Sequence, residues 1–329
     1  MILAGDVGGT KTVLALCDES GRVGREEIFL CEEYPSLEAI LDVFLRGREV
    51  QALAGACFGV AGPVVHQVAK ITNLPWTIDA RRLSAKLGGI PVTLLNDLQS
   101  TALGTLVLPA DAFAVLQAGT ADGTHDPIAV IAPGTGLGEA LLVWDGDRYI
   151  ALPSEGGHAD FAPTTDEEIE LLRFLRGRYG GHVSYERVLS GDGIGDLYDF
   201  VRIASGTREP PWLAAQIATG DKNAIVSKAA LDKADDACVR ALDLFAQVLG
   251  AEAGNLALRG MSTGGVVIGG GIPPKLLPAL QTGALIARFN DKGRFGAWTK
   301  TLAVRVTLEP RAALLGAAHY VATSRPAKA

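Results

Sequence analysis

The chain lacks the positive charge that a phosphate-backbone partner selects. Its 30 Lys and Arg against 37 Asp and Glu leave a formal charge of −7, and nucleic-acid binders usually show a basic face, so no nucleic-acid partner is expected. It lacks long apolar runs. Runs such as "GGVVIGGGI" at 264–272 fall far short of the roughly 20 residues a bilayer span needs. No basic stretch followed by an apolar segment opens the chain, so the expectation is a cytoplasmic, untargeted protein with no membrane partner. Cysteine is scarce and scattered. Cys17, Cys31, Cys57 and Cys238 form no CxxC pair, which disfavours a zinc site and predicts reduced, buried thiols.

What is present is apolar residue in quantity. Of 329 residues 48% are hydrophobic, enough for two compact domains with their own cores. Strand-like runs fall at 2–6, 12–17, 26–31, 52–60 and 92–95, with a helical pattern at 37–46 and another opening near Asp97. "DPIAVIAPGTGLGEALLVWDGDRYIAL" at 126–152 then repeats the order of the opening, strand, glycine turn with a Thr, strand, and adds a hairpin at Asp145-Gly146. The likeness is one of architecture more than of residues and predicts two related α/β halves. From 165 to 260 the pattern is helical, including a long amphipathic stretch at 222–249. Strand, glycine turn and a helix starting near Pro273 return at 264–280, and a last helix is expected over 311–323. No low-complexity linker divides the chain, so the halves share a hinge.

Three glycine-rich turns carry the first chemistry. In "GDVGGTK", Gly8, Gly9 and Thr10 bring backbone N–H groups close to an anion, Lys11 adds a charge, and Asp6 holds Mg²⁺ through water. The absence of GxxxxGK[ST] excludes a Walker A loop, and an ordinary hairpin explains the glycines as well. "PGTGLG" at 133–138 has the same ingredients in Gly134, Thr135 and Gly136, and two such turns would clamp a triphosphate from two sides. Gly269, Gly270 and Gly271, after the strand "VVI", leave room for a purine or ribose, or simply make a tight turn.

A second group is polar. Asn96 and Asp97 end an apolar strand at the mouth of a helix, where Asp serves as a cap or as an ionised base favoured by the helix dipole. Glu155 and His158 flank two glycines in "PSEGGHADFAP". Glu186 lies in "YERVLSG", where a solvated helix residue is the plain alternative. Together Asn96, Asp97, Glu155, His158 and Glu186 suit a polyhydroxyl ligand, since carboxylates bridge neighbouring hydroxyls while an amide and an imidazole donate and accept.

These motifs, with "TNLPW", "GGVVIGGGI" and "DKGRF", occur in one order along nearly the whole chain and resemble the bacterial glucokinase family. The resemblance implies an α/β fold of two ribonuclease-H-like domains, of the actin and hexokinase ATPase type, with a cleft between them: a small domain of 1–107 plus 311–329 and a large one of 108–310. It implies phosphoryl transfer from ATP, with Mg²⁺, to the 6-hydroxyl of glucose. Asp97 is then the catalytic base, Asn96, Glu155, His158 and Glu186 hold glucose, and Asn73 helps shape the sugar side. The loops at 8–10 and 134–136 contact ATP phosphates, 269–271 lies near the adenosine, and a homodimer is expected. Lys11 stands where many members carry Asn, Ala132 where a glycine is frequent, and Asp192 where some relatives have Pro. The cysteine-rich zinc motif of the repressor-and-kinase family is missing. Rival readings are a kinase for another hexose or an acylamino sugar, a sugar-sensing regulator, for which no DNA-reading segment precedes Ile2, and an actin-type ATPase, which leaves the sugar set unexplained.

Overall fold

The computed structural model describes residues 1–47, 52–71, 74–120 and 123–324, and Asn73 lies outside the described residues. The chain divides into two compact units, Met1–Ala112 with Leu142–Pro153 and Glu309–Ala329, and Phe113–Leu141 with Ser154–Leu308.

In the first unit, β1 (Ile2–Val7), β2 (Lys11–Cys17) and β3 (Val23–Leu30) form an antiparallel meander. The opening glycines therefore do close a hairpin. α1 (Leu37–Phe44) leads to β4 (Gly55–Val60), which lies parallel to β1. A small sheet follows, of β5 (Val64–Val65), β6 (Val68–Lys70) and β7 (Thr77–Asp79), then α2 (Ala80–Lys86), β8 (Val92–Asn96) and α3 (Asp97–Thr105). The main sheet runs β3-β2-β1-β4-β8. β1 and β4 are apolar on both faces and buried throughout but for Asp6, as central strands with parallel neighbours must be. Leu3, Leu14, Phe58 and Phe44 pack into one core.

The second stretch opens with β9 (Phe113–Gln117), β10 (Ile128–Pro133), β11 (Leu137–Trp144) and β12 (Tyr149–Ser154). α4 (Asp166–Tyr179), α5 (Gly191–Ser205), α6 (Pro211–Ile217), α7 (Lys222–Leu231) and α8 (Asp236–Gly260) come next. β13 (Val266–Ile268), α9 (Leu277–Leu280), α10 (Ala284–Asn290), α11 (Gly296–Thr299) and β14 (Val304–Thr307) complete it, and α12 (Ala312–Thr323) returns to the first unit. The six-stranded sheet runs β12-β11-β10-β13-β14-β9. Its first five strands repeat the order of the other sheet, three strands back to front and then two more beside the first. α8 is buried along most of its length, with Phe245 and Leu249 fully enclosed. Gly250 and Gly254 let α10 lie against it, since a Cβ at 254 would stand 2.8 Å from the Phe289 carbonyl.

Two expectations are corrected. The amphipathic stretch 222–249 is two helices: Lys233 takes a φ of 54° between them, and the Asp235 carboxylate caps α8 by accepting the Cys238 N–H at 2.9 Å. The helix expected near Pro273 begins at Leu277, because the preceding residues form a turn in which the Lys275 N–H bonds the Ile272 carbonyl at 3.0 Å and the Leu276 N–H reaches those of Ile272 and Pro273. β9 and β14 are strands that the pattern did not announce.

All four cysteines are buried and free. Burial pushes each thiol above its ordinary range.

Candidate active site

The strand register of the first unit assembles its polar residues. Asp6 on β1 stands beside Gly59 on β4, and Val60 stands beside Asn96 on β8. Asp6 and the Asn96–Asp97 pair thus sit at the carboxyl ends of parallel strands with one strand between them, the end of an α/β sheet where ligands bind. Gly59 permits this approach: a Cβ there would stand 2.7 Å from the Ser100 Cβ on α3. Gly8, Gly9, Thr10 and Lys11 continue from Asp6 as a tight turn, closed by the Gly8 N–H on the Lys11 carbonyl at 3.0 Å. Cys31 lies beneath, its Sγ 3.5 Å from the Gly8 carbonyl. Thr10 and Lys11 are exposed.

Asn96, not Asp97, caps α3. Its Oδ1 accepts the Gln99 N–H at 2.6 Å and the Gln99 side chain accepts the Asn96 N–H at 3.2 Å, a reciprocal box. Asp97 is the first helical residue, exposed, its Oδ1 accepting the Leu98 N–H at 2.9 Å. The helix dipole favours its ionised form there. Burial first, and then the Asp97 charge, raise the Asp6 carboxyl from 3.8 to about 6, against the pull of Lys11. The two carboxylates compete for neutralisation.

The second unit gathers the remaining residues. Glu155 and His158 bracket a short 3₁₀ turn, Gly156–His158. His158 Nε2 stands 3.9 Å from Glu155 and its Nδ1 stands 3.8 Å from Glu186. The turn is packed, not loose: a Cβ on Gly156 would overlap the Glu139 carboxyl, and one on Gly157 the Leu137 carbonyl. Glu186 is only part exposed, and its Oε2 accepts the Leu137 N–H at 3.0 Å.

That bond reaches the second glycine loop. Gly134 donates to the Gly136 carbonyl at 2.8 Å, and Gly191, at the start of α5, donates to Gly134 at 3.0 Å; Thr135 is exposed at the tip. Gly269, Gly270 and Gly271 follow β13, the parallel neighbour of β10. Gly270 takes a φ of 87° and lies against the Pro133 carbonyl so closely that a Cβ would overlap it. The two loops therefore leave adjacent strand ends in contact.

Sequence reading missed Glu139, which is 1% exposed on β11. A single carboxylate in an apolar strand was the available signal. Glu252 and Arg259 on α8, which face it, lie too far along the chain to be paired with it by spacing.

The mixed α/β fold, compared with known proteins, is that of a sugar kinase. A family model described as Glucokinase matches residues 3–324. A glucokinase of Nostoc punctiforme is 38% identical over 334 residues, covering 97% of this chain and 98% of that protein. The crystal structure of a glucokinase from an Antarctic psychrotroph superposes with a TM-score of 0.85 at 30% identity, covering 98% and 99%. A ROK family glucokinase from Streptomyces griseus, solved with glucose and AMPPNP, shares the fold, with a TM-score of 0.64 at 21% identity over 97% and 98% of the two chains. The chain belongs to the glucokinase family.

Proposed function

We propose that Asp97 is the general base in the transfer of the terminal phosphoryl group of ATP to the 6-hydroxyl of glucose. The activity follows from the family: the chain is an ATP-dependent hexose kinase that makes glucose 6-phosphate and ADP. The observation that carries the assignment of the base is the meeting of Asp97 and Asp6 at one sheet end beside the Gly8–Lys11 turn. An exposed carboxylate at a helix start accepts or orients the hydroxyl proton. Because the transition state of phosphoryl transfer is loose, orientation by these residues contributes more than basicity.

Asn96, Glu155, His158 and Glu186 hold the sugar hydroxyls in this reading, and Asn73 joins them on resemblance alone. Asn96 spends its oxygen on the helix cap, so its amide N–H₂ is the group it offers. The turns Gly8–Lys11 and Gly134–Gly136 border the phosphates, and Gly269–Gly271 borders the nucleoside. Mg²⁺ fits the donor set, since it binds through one or two carboxylates with phosphates and water, and a cation would offset the burial and, after it, the Asp97 charge that raise Asp6. When bound, it would neutralise charge on the transferring group, and Asp6 is the residue that would hold it. Among the described residues no helix is long and apolar enough to cross a membrane; we place the protein in the cytoplasm as a homodimer, the latter checkable by light scattering.

The test is ADP release from MgATP with glucose, mannose, fructose, N-acetylglucosamine or no sugar. Glucose-dependent release is expected, and Asp97→Asn should lose roughly 10²–10⁴-fold in turnover while still binding glucose. Near wild-type turnover in that variant would remove Asp97 from the role. Stronger release with an acylamino sugar would favour the alternative acceptor.

A further inference from the structure

We propose that Glu139 is a positioning residue for the sugar site, its carboxyl sharing a proton with Glu252 behind the Gly156–Gly157 turn and so fixing Glu155 and His158. The proposal rests on the reading that Glu155 and His158 hold the sugar.

Both oxygens of Glu139 are buried and meet no protein donor. Arg259 is committed elsewhere: its Nη1 is 2.5 Å from Glu252 and 3.9 Å from Glu139. Glu252 is also engaged by Asn255, whose Nδ2 donates to it at 2.9 Å, and that amide reaches the Tyr185 hydroxyl at 3.2 Å. Lys292, whose charge also acts on Glu252, donates to the Asn255 oxygen and the Ala251 carbonyl, each at 2.8 Å. Two carboxyls thus meet in the core with one guanidinium, bonded to Glu252 alone. A proton on Glu139 turns an orphaned acceptor into a donor toward Glu252 and removes one buried charge. Burial, then Glu252, drive the Glu139 carboxyl well above the usual carboxylate range, against the pull of Arg259.

The geometry carries this to the site. Glu139 lies against Gly156 with no room for a Cβ between them, and the turn that starts at Gly156 holds Glu155 at one end and His158 at the other. Loss of the shared proton leaves two buried negative charges that require water, and the Gly156 turn is the wall that yields. Glu155 and Glu186, also acidic, add repulsion on the far side of that turn. The sugar site then loosens while the phosphate loops keep their own hydrogen bonds.

The test measures glucose dissociation constants by calorimetry, in the absence of ATP, from mildly acidic to alkaline buffer. In the wild type, affinity should fall about tenfold per pH unit above the titration of the pair, with kcat changing less than glucose KM. Glu139→Gln, which keeps the shape and donor of the protonated acid, should show a flat profile over the same range. An alkaline loss that persists in Glu139→Gln, or a wild type that shows none, overturns the proposal. Should that variant not fold, Glu252→Gln decides: loss of the neighbouring charge leaves Glu139 buried but frees Arg259 for it, so the alkaline loss should move to lower pH, and a loss that does not move refutes the proposal. His158→Ala tests the underlying reading separately, since unchanged glucose affinity there would remove the sugar assignment whatever the pH profile of Glu139→Gln.

Discussion

Glu186 accepts the backbone N–H of Leu137 at 3.0 Å, so one carboxylate joins the Tyr185–Arg187 turn to the glycine loop that precedes β11. Its other oxygen faces His158.

Gly136→Ala tests that joint. A Cβ at 136 would overlap Glu186 Oε2, so the carboxylate must swing away from both Leu137 and His158. Steady-state kinetics should show KM rising for glucose and for ATP together, each by about tenfold, about 1.4 kcal/mol of lost binding. A rise for ATP alone would show that Glu186 does not hold the sugar.

Asp6→Asn should stabilise the protein and silence it. A carboxyl raised from 3.8 to about 6 in the folded state binds its proton more tightly there than in the unfolded chain. Stability is therefore lost as pH rises from about 4 to about 6 and stays lost above, by at most about 3 kcal/mol. Asn removes that penalty, so at neutral pH the variant should melt higher than the wild type and the gap should close in acid. Turnover should fall with it, the usual opposition between stability and a charged site. A lower melting temperature at neutral pH would contradict the buried-charge argument.

Asn96→Asp separates the helix cap from the site. Asp caps as well as Asn, so unfolding free energy should stay within about 0.5 kcal/mol. A third carboxylate beside Asp97 and Asp6 should nevertheless lower kcat/KM. Asn96→Ala should lose both, with about 1 kcal/mol of stability.

Gly104→Ala pits propensity against contact. In an exposed helix this change would stabilise by up to about 1 kcal/mol. Here a Cβ at 104 would overlap the Ala312 carbonyl, and one at Gly316 of α12 would overlap the Ser100 carbonyl, so the helices α3 and α12 must separate. Urea titration should show destabilisation of about 1–3 kcal/mol, and α3 carries Asp97 at its start, so turnover should fall too.

The hairpin of β1 and β2 was legible because everything that makes it is local, two apolar runs and the glycines between them. Asn96 and Asp97 were legible as a helix entrance for the same reason. Which of the two caps the helix was decided by Gln99, whose side chain completes the box. The break between α7 and α8 was not legible, because the apolar periodicity runs through it and the turning residue is Lys233, a type that seldom adopts a positive φ. The cause of the paired glycines at 156 and 157 was not legible, because it is the approach of Glu139 and Leu137 from another strand. Residues whose reason lies in their own segment were readable, and those whose reason lies across the sheet were not.

The buried thiols make the chain its own clock. Three of them, Cys17, Cys31 and Cys57, belong to the first unit and Cys238 to the second, and none meets an alkylating reagent until its surroundings open. The rates at which the four become labelled therefore time the opening of each unit separately, without an added dye or tag. Cys31, under the Gly8 carbonyl, would record whether nucleotide holds that turn shut.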